Sequence, residues 1–245
     1  MASISSIDGL ERFRYVEVDA ARLLLILNRF ALAVDNEASQ LQCWPKQPVV
    51  RYFTPEYKLQ KLDFLVRYPT YFAYELVELH RMQVNSARER DEIKSIVRMV
   101  LRDKEPDRRT GLYRKFLRGA YERLDLVESW WHSRNLVYRG LERRGDIGSA
   151  ARPQKYYFLT EKGEEVATEL VAAVEHAQWY DGRIRLIHKY FGELSAEELK
   201  ALQYSHPPYR EAQLAEEILD LSLDELLTNF ERVFGEPMGV DLEQE

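Results

Sequence analysis

Cysteine is nearly missing: Cys43 stands alone among 245 residues. A lone cysteine excludes a disulfide framework and a paired-cysteine metal site, and it fits a reducing cytoplasm. Its setting, "LQCWPKQP", is loop-like, so Cys43 reads as a small hydrophobe rather than a nucleophile. Long apolar runs are missing too. The longest, "LLLIL" at 23 to 27, is far short of the ~20 residues a membrane-spanning helix needs. The opening "MASISSIDGLERF" has neither the basic nor the apolar stretch of a secretory leader. Histidines are few, at 80, 132, 176, 188 and 206, and none repeats at the i, i+4 spacing of a helical metal pair. No glycine-rich loop precedes a Lys-Ser or Lys-Thr, so the phosphate cradle of a nucleotide enzyme is not expected. "DEIK" at 91 to 94 has the Glu-x-Lys end of a nuclease pattern, but helical periodicity surrounds it and marks a solvated helix face. The expectation is a protein without catalytic machinery and without cofactor or metal.

What is present is helix, in a chain 45% hydrophobic and 31% charged. The net charge of −6 is unevenly spread: −1 over residues 1–80, +8 over 81–155 and −13 over 156–245. A basic middle third could meet phosphate, whereas the acidic final third would repel a polyanion.

Along the chain, "VDAARLLLILNRFALAV" reads as a buried helix, followed by a polar, proline-interrupted loop through "DNEASQLQCWPKQPVVRYF". Thr54-Pro55 signals the start of a second helix, "EYKLQKLDFLVRY", which Pro69 limits to Tyr68 at the latest. Thr70 caps a third, "YFAYELVELHRM", and "ARERDEIKSIVRMVL" makes a fourth. "RDKEPDRRTG" reads as a linker. Residues 112 to 177 read as helix, helix, strand, turn, strand, helix, with "LVYRGLERRG" and "QKYYFL" as the strands and Thr160 as the cap of the last helix. The final 65 residues read as helical, with "SAEE" and "SLDE" as capping boxes and Gly235 as a stop.

The expected fold is therefore mainly α with one or two small β-hairpin wings: a winged helix, in tandem if the N-terminal part forms a strand-poor second one, followed by C-terminal helices. The domains expected are 1–104 (helical), 112–177 (winged helix) and 178–245 (acidic helical extension). In a winged-helix DNA reader, the helix before the wing enters the major groove. Here that helix offers Arg123, His132, Arg134 and Asn135, but also the carboxylates of Glu122, Asp125 and Glu128, which would face phosphates. The wing carries Arg139, Arg143, Arg144, Arg152 and Lys155, which could lie along a DNA backbone without reading sequence. A solvated hairpin with ordinary charges fits the same residues. The aromatic, acidic stretch 179 to 212 offers Tyr204 and Tyr209 either as packing between helices or as anchors for a partner.

"KLQKLDFLVRYP", residues 58 to 69, resembles a motif of the middle components of bacterial ABC three-component systems, the class that includes Lamassu-type antiviral and antiplasmid defence. Leu159, Thr160 and Gly163 match the "Leu-Thr-x-x-Gly" turn that closes the wing in those relatives. Where some of them carry Gly-Pro-Trp-Asp ahead of the helix before the wing, this chain has Gly119-Ala120-Tyr121-Glu122. The resemblance implies a non-catalytic subunit linking an SMC- or Rad50-like ATPase to an effector such as a nuclease. The net charge of −6 and the acidic helix before the wing lead to the expectation that DNA is met weakly or only within the complex. Lys58, Lys61, Asp63 and Arg67 then form the polar, partner-docking side of that helix, and a pairing of Asp63 with Arg67 is expected from their spacing. A capped core helix is the plainer reading of the same residues. A winged-helix transcriptional regulator that dimerises through its terminal helices is the alternative function.

Overall fold

A computed structural model describes residues 16–36, 38–82, 87–103, 114–116, 119–143, 153–206, 209–210, 213 and 222–239. The protein is mainly helical, with a small four-stranded antiparallel sheet. The expected three consecutive domains are not how the chain groups. Two compact units form, each from two separate stretches: Met1–Asp63 with Glu122–Gly192, and Phe64–Tyr121 with Glu193–Glu245.

The first unit is built on helix α1 (Val16–Phe30), whose central run Leu23 to Leu27 is buried throughout. Strands β1 (Leu32–Ala33) and β2 (Arg51–Phe53) come next, with a 3-10 turn at Ala38–Gln40 between them. Helix α2 (Glu56–Arg67) begins after the cis Thr54–Pro55 bond. Thr54 does not cap it: its hydroxyl donates to the Lys155 carbonyl (3.0 Å).

The rest of this unit is the hairpin region: helix α5 (Asp125–Ser133), strands β5 (Val137–Glu142) and β6 (Gln154–Leu159), helix α6 (Glu161–Ala173) and helix α7 (Glu175–Phe191). The single closing helix expected over 161–177 is broken at Val174. The sheet order is β1-β2-β6-β5, with Val137 opposite Leu159 on one side of β6 and Arg51 opposite Leu159 on the other. Strand β2 lay within what the sequence presented as loop. It forms because Tyr52 and Phe53 match the partners Phe158 and Tyr157 across the ladder. Tyr138, Tyr156 and Phe158 cluster on one face under Leu41, Cys43, Trp44, Val49 and Tyr52, while Tyr157 meets Trp131 edge-on at 6.1 Å on the other.

The second unit contains helices α3 (Pro69–Met82) and α4 (Ala87–Arg102), a two-stranded ladder of β3 (Arg114–Phe116) with β4 (Gly119–Tyr121), and helices α8 (Ala196–Ser205) and α9 (Leu223–Phe234). Helix α3 starts at Pro69 itself, so Thr70 lies inside it and is not its cap. The ladder replaces the first of the two helices expected after residue 112. Both capping boxes form as expected: Ser195 with Glu198, and Ser222 with Glu225. Gly235 closes α9 in the left-handed region, φ 70°. The chain then lies back on α4, where Arg98 Nε donates to the Met238 carbonyl (2.7 Å) and Lys94 pairs with Glu236 (2.8 Å).

Candidate functional site

Helix α5 and the β5–β6 hairpin form the candidate surface, and three local devices fix their geometry. Asn135, past the end of α5, adopts a left-handed φ of 58°, and its Oδ1 accepts from the Tyr138 hydroxyl (2.7 Å). It is therefore a turn residue and not a base reader on the helix. Thr160 caps α6, its Oγ1 accepting from the Gly163 amide (3.0 Å) and donating to the carbonyls of Asn135 and Leu136 (2.8 and 3.1 Å). A Cβ on Gly163 would come within 2.3 Å of the Leu136 carbonyl oxygen, so close approach of two chain segments explains the glycine in the Leu-Thr-x-x-Gly turn.

The third device is Glu128. Its side chain is only 8% exposed, and it accepts from Arg139 Nη1 (2.9 Å), Lys155 Nζ (2.9 Å) and the Tyr157 hydroxyl (2.8 Å). Lys155 Nζ also reaches Glu56 on α2 (2.8 Å). Burial alone would lower the Lys155 pKa, but its hydrogen bonds to Glu56 and Glu128 outweigh that and hold the ammonium above its usual value. The expected phosphate-facing carboxylate is thus an internal anchor of the hairpin. Two of the five basic wing residues are bound by it.

Of those five, Lys155 is 17% exposed and committed to two carboxylates, so it is not poised for DNA. Arg139 is half exposed and paired with Glu128. Arg143 is exposed, while Arg144 and Arg152 lie outside the described residues. Of the basic residues expected on this helix, Arg123 lies ahead of α5 and pairs with Asp125 (2.8 Å), Arg134 follows its last turn and lies over the Trp130 ring at 4.0 Å, and His132, within it, meets Tyr138 edge-on at 5.3 Å. The outward face of α5 is therefore locally compensated, with Leu126 and Trp130 among its charges.

The partner-docking residues expected on α2 are largely interior. Lys61 and Asp63 are 1% and 2% exposed, and Arg67 is buried as well. Asp63 receives Arg22 of α1 through Nε (2.5 Å) and Nη2 (3.1 Å), a partner 41 residues away that spacing along one helix could not reveal. Lys58 is half-buried, its Nζ donating to the Gly192 carbonyl (3.4 Å). The plainer reading of this motif, a core helix, describes it. Tyr209 is fully buried, its ring edge-on to Phe64 (6.4 Å) and Tyr204 (5.1 Å). Tyr204 is half-buried against it. Tyr209 therefore packs in the interior and offers no exposed anchor, while Tyr204 stays part-exposed beside it.

Cys43 contributes packing: its amide donates to Glu142 Oε2 (3.1 Å), and burial, with Glu142 nearby, pushes its thiol up to about 11. Among the described residues, no three His, Cys, Asp or Glu side chains group as a metal site would require. No described helix is long and apolar enough to cross a membrane. Comparison of the chain with family models, with curated proteins and with solved structures gives no match.

Proposed function

We propose that this chain is a non-catalytic accessory subunit on a winged-helix scaffold, which docks onto an SMC-like ATPase and links it to an effector in antiviral or antiplasmid defence. The order α5, β5, β6, α6, with β2 pairing to the second hairpin strand, supports the winged-helix reading. The resemblance of residues 58–69 and of the Leu159-Thr160-x-x-Gly163 turn supports the choice of partner. One observation favours protein docking over DNA reading. Glu128 holds Arg139 and Lys155, two of the cations a DNA-binding wing would spend on phosphates. Breaking those pairs to reach phosphate would expose a carboxylate beside the polyanion.

Two measurements test the proposal together. Titrated with duplex DNA at physiological salt, the protein should bind at ~10⁻⁴–10⁻⁶ M without sequence preference. Co-expressed with an SMC-like ATPase of the proposed class from the same host, it should co-elute as a stoichiometric complex. Nanomolar, sequence-dependent DNA binding by a free homodimer would install the transcriptional regulator instead.

A further inference from the structure

The second unit holds a groove of about 410 Å³, lined by Tyr74 of α3 and by Asp224, Glu225, Thr228, Asn229 and Arg232 of α9. Its volume lies within the ~300–1,000 Å³ of small ligand sites. Three features give it chemical polarity. At one end, the Arg232 guanidinium is fixed through Nη2, which donates to Glu78 Oε1 (2.8 Å) and to Asn229 Oδ1, while its side chain stays 59% exposed. Glu78 is itself buried and also holds Arg81 (2.8 Å), so the two arginines share one buried carboxylate. At the other end is the exposed carboxylate of Asp224, with Glu225 already engaged in its capping box with Ser222. In the wall between them, Asn229 is 4% exposed and its Nδ2 has no hydrogen-bond acceptor among the described residues. Buried amide donors nearly always have one.

We propose that this groove binds an extended peptide segment of a partner protein, with an acidic side chain at Arg232 and a basic side chain four residues away at Asp224. Asp224, Thr228 and Arg232 follow one another at i, i+4 and i+8 on one stripe of α9, which spans about 12 Å at the helical rise. An extended chain covers ~13 Å in four residues and returns its side chains to the same face. The two spacings match. The residue between the charges lies against the Tyr74 ring and Thr228, and a peptide carbonyl supplies the acceptor that Asn229 Nδ2 lacks after a small shift of that amide. Burial, followed by the charge of Glu78, raises the Tyr74 pKa and keeps the phenol neutral beside this site. The site stands on its own geometry and holds whether or not the partner is an ATPase.

The test is an NMR titration of the full chain with the capped pentapeptide Lys-Ala-Leu-Ala-Glu and, as control, the capped peptide Lys-Ala-Leu-Ala-Lys. Saturable shifts of the Tyr74, Asn229 and Arg232 signals are expected with the first peptide at or below ~1 mM, and binding at least about tenfold weaker with the second. Asp224→Lys should weaken the first peptide by about tenfold. Thr228→Trp, an exposed substitution that fills the groove and leaves the Glu78–Arg232 anchor in place, should abolish its binding. Equal binding of the two peptides, undiminished binding by Thr228→Trp, or no shift at millimolar peptide overturns the proposal.

Discussion

Replacing Glu128 should weaken the protein, and it should not create a DNA binder. The carboxylate is 8% exposed and receives three donors within 2.9 Å, two of them cationic. Hydrogen bonds to charged groups contribute ~1.5–3 kcal/mol each, but three that share one acceptor do not add. Removing one member of a buried pair costs ~3–5 kcal/mol, because the remaining charge is left desolvated. Lys155 keeps Glu56 as a partner, which places Glu128→Ala at the lower end, about 3 kcal/mol. Glu128→Gln retains an acceptor of the same shape and should cost about half as much. Denaturant unfolding of the three proteins gives the differences, provided the m-value is unchanged. A cycle with Lys155→Met isolates the pair, and a coupling above ~1 kcal/mol is expected. If Glu128 were the exposed carboxylate of a reading helix, Glu128→Ala would leave stability within ~0.5 kcal/mol and tighten DNA binding. That outcome would mean Glu128 does not anchor the hairpin.

Three further outcomes follow from the geometry. Gly163→Ala should lose ~1–3 kcal/mol, since the new Cβ would meet the Leu136 carbonyl oxygen at 2.3 Å, and thermal melting within a degree of wild type would contradict it. Tyr209→Ala should lose ~3–5 kcal/mol by emptying a fully buried aromatic site, read by denaturant unfolding; a stable variant that merely lost a partner would restore the docking role. Alkaline pH should destabilise the protein. Cys43 is pushed up to about 11 from 9.0, and Lys155 and Tyr209 are also raised, so each favours its protonated form in the folded state. Such groups contribute fully below their unfolded pKa and lose that contribution as pH climbs through the folded value, so the decline should begin near pH 9 with Cys43, and a flat stability profile from pH 8 to 11 would contradict it.

The sequence was most legible where structure is local. Ser195, Ser222, Thr160 and Gly235 each cap or end a helix through a bond within four residues of themselves, as their type and spacing suggest. Strand β6 was bounded correctly because "QKYYFL" is flanked by proline and threonine and dense in aromatics. Strand β2 was missed because it is three residues long and is defined by its pairing with residues about a hundred positions on. The hairpin of β3 and β4 was read as helix for a related reason: each of its strands has only three residues, too few for alternation to declare itself.

Charge misled in a particular way. A count of side chains treats every charge as exposed, yet Glu128, Lys155, Asp63 and Arg22 spend theirs on one another or on neighbours inside the first unit. Arg22 is the instructive case. It sits in the middle of a helix whose apolar residues run almost all round, at 1% exposure, and it is held by Asp19 on its own helix (2.9 Å) and Asp63 on α2. A buried guanidinium is tolerated only when its partners are in place, so α1 and α2 are bound in one register, and slipping either helix would strand a charge. Asp63, at the centre of the motif, therefore has a structural reason to be an aspartate that needs no partner protein. On the proposed function, recognition would fall to surfaces the motif does not contain: the compensated face of α5, with Leu126 and Trp130, in the first unit, and the groove between Asp224 and Arg232 along α9 in the second. In both places the deciding residues are ordinary in sequence, and only their neighbours in space give them a role.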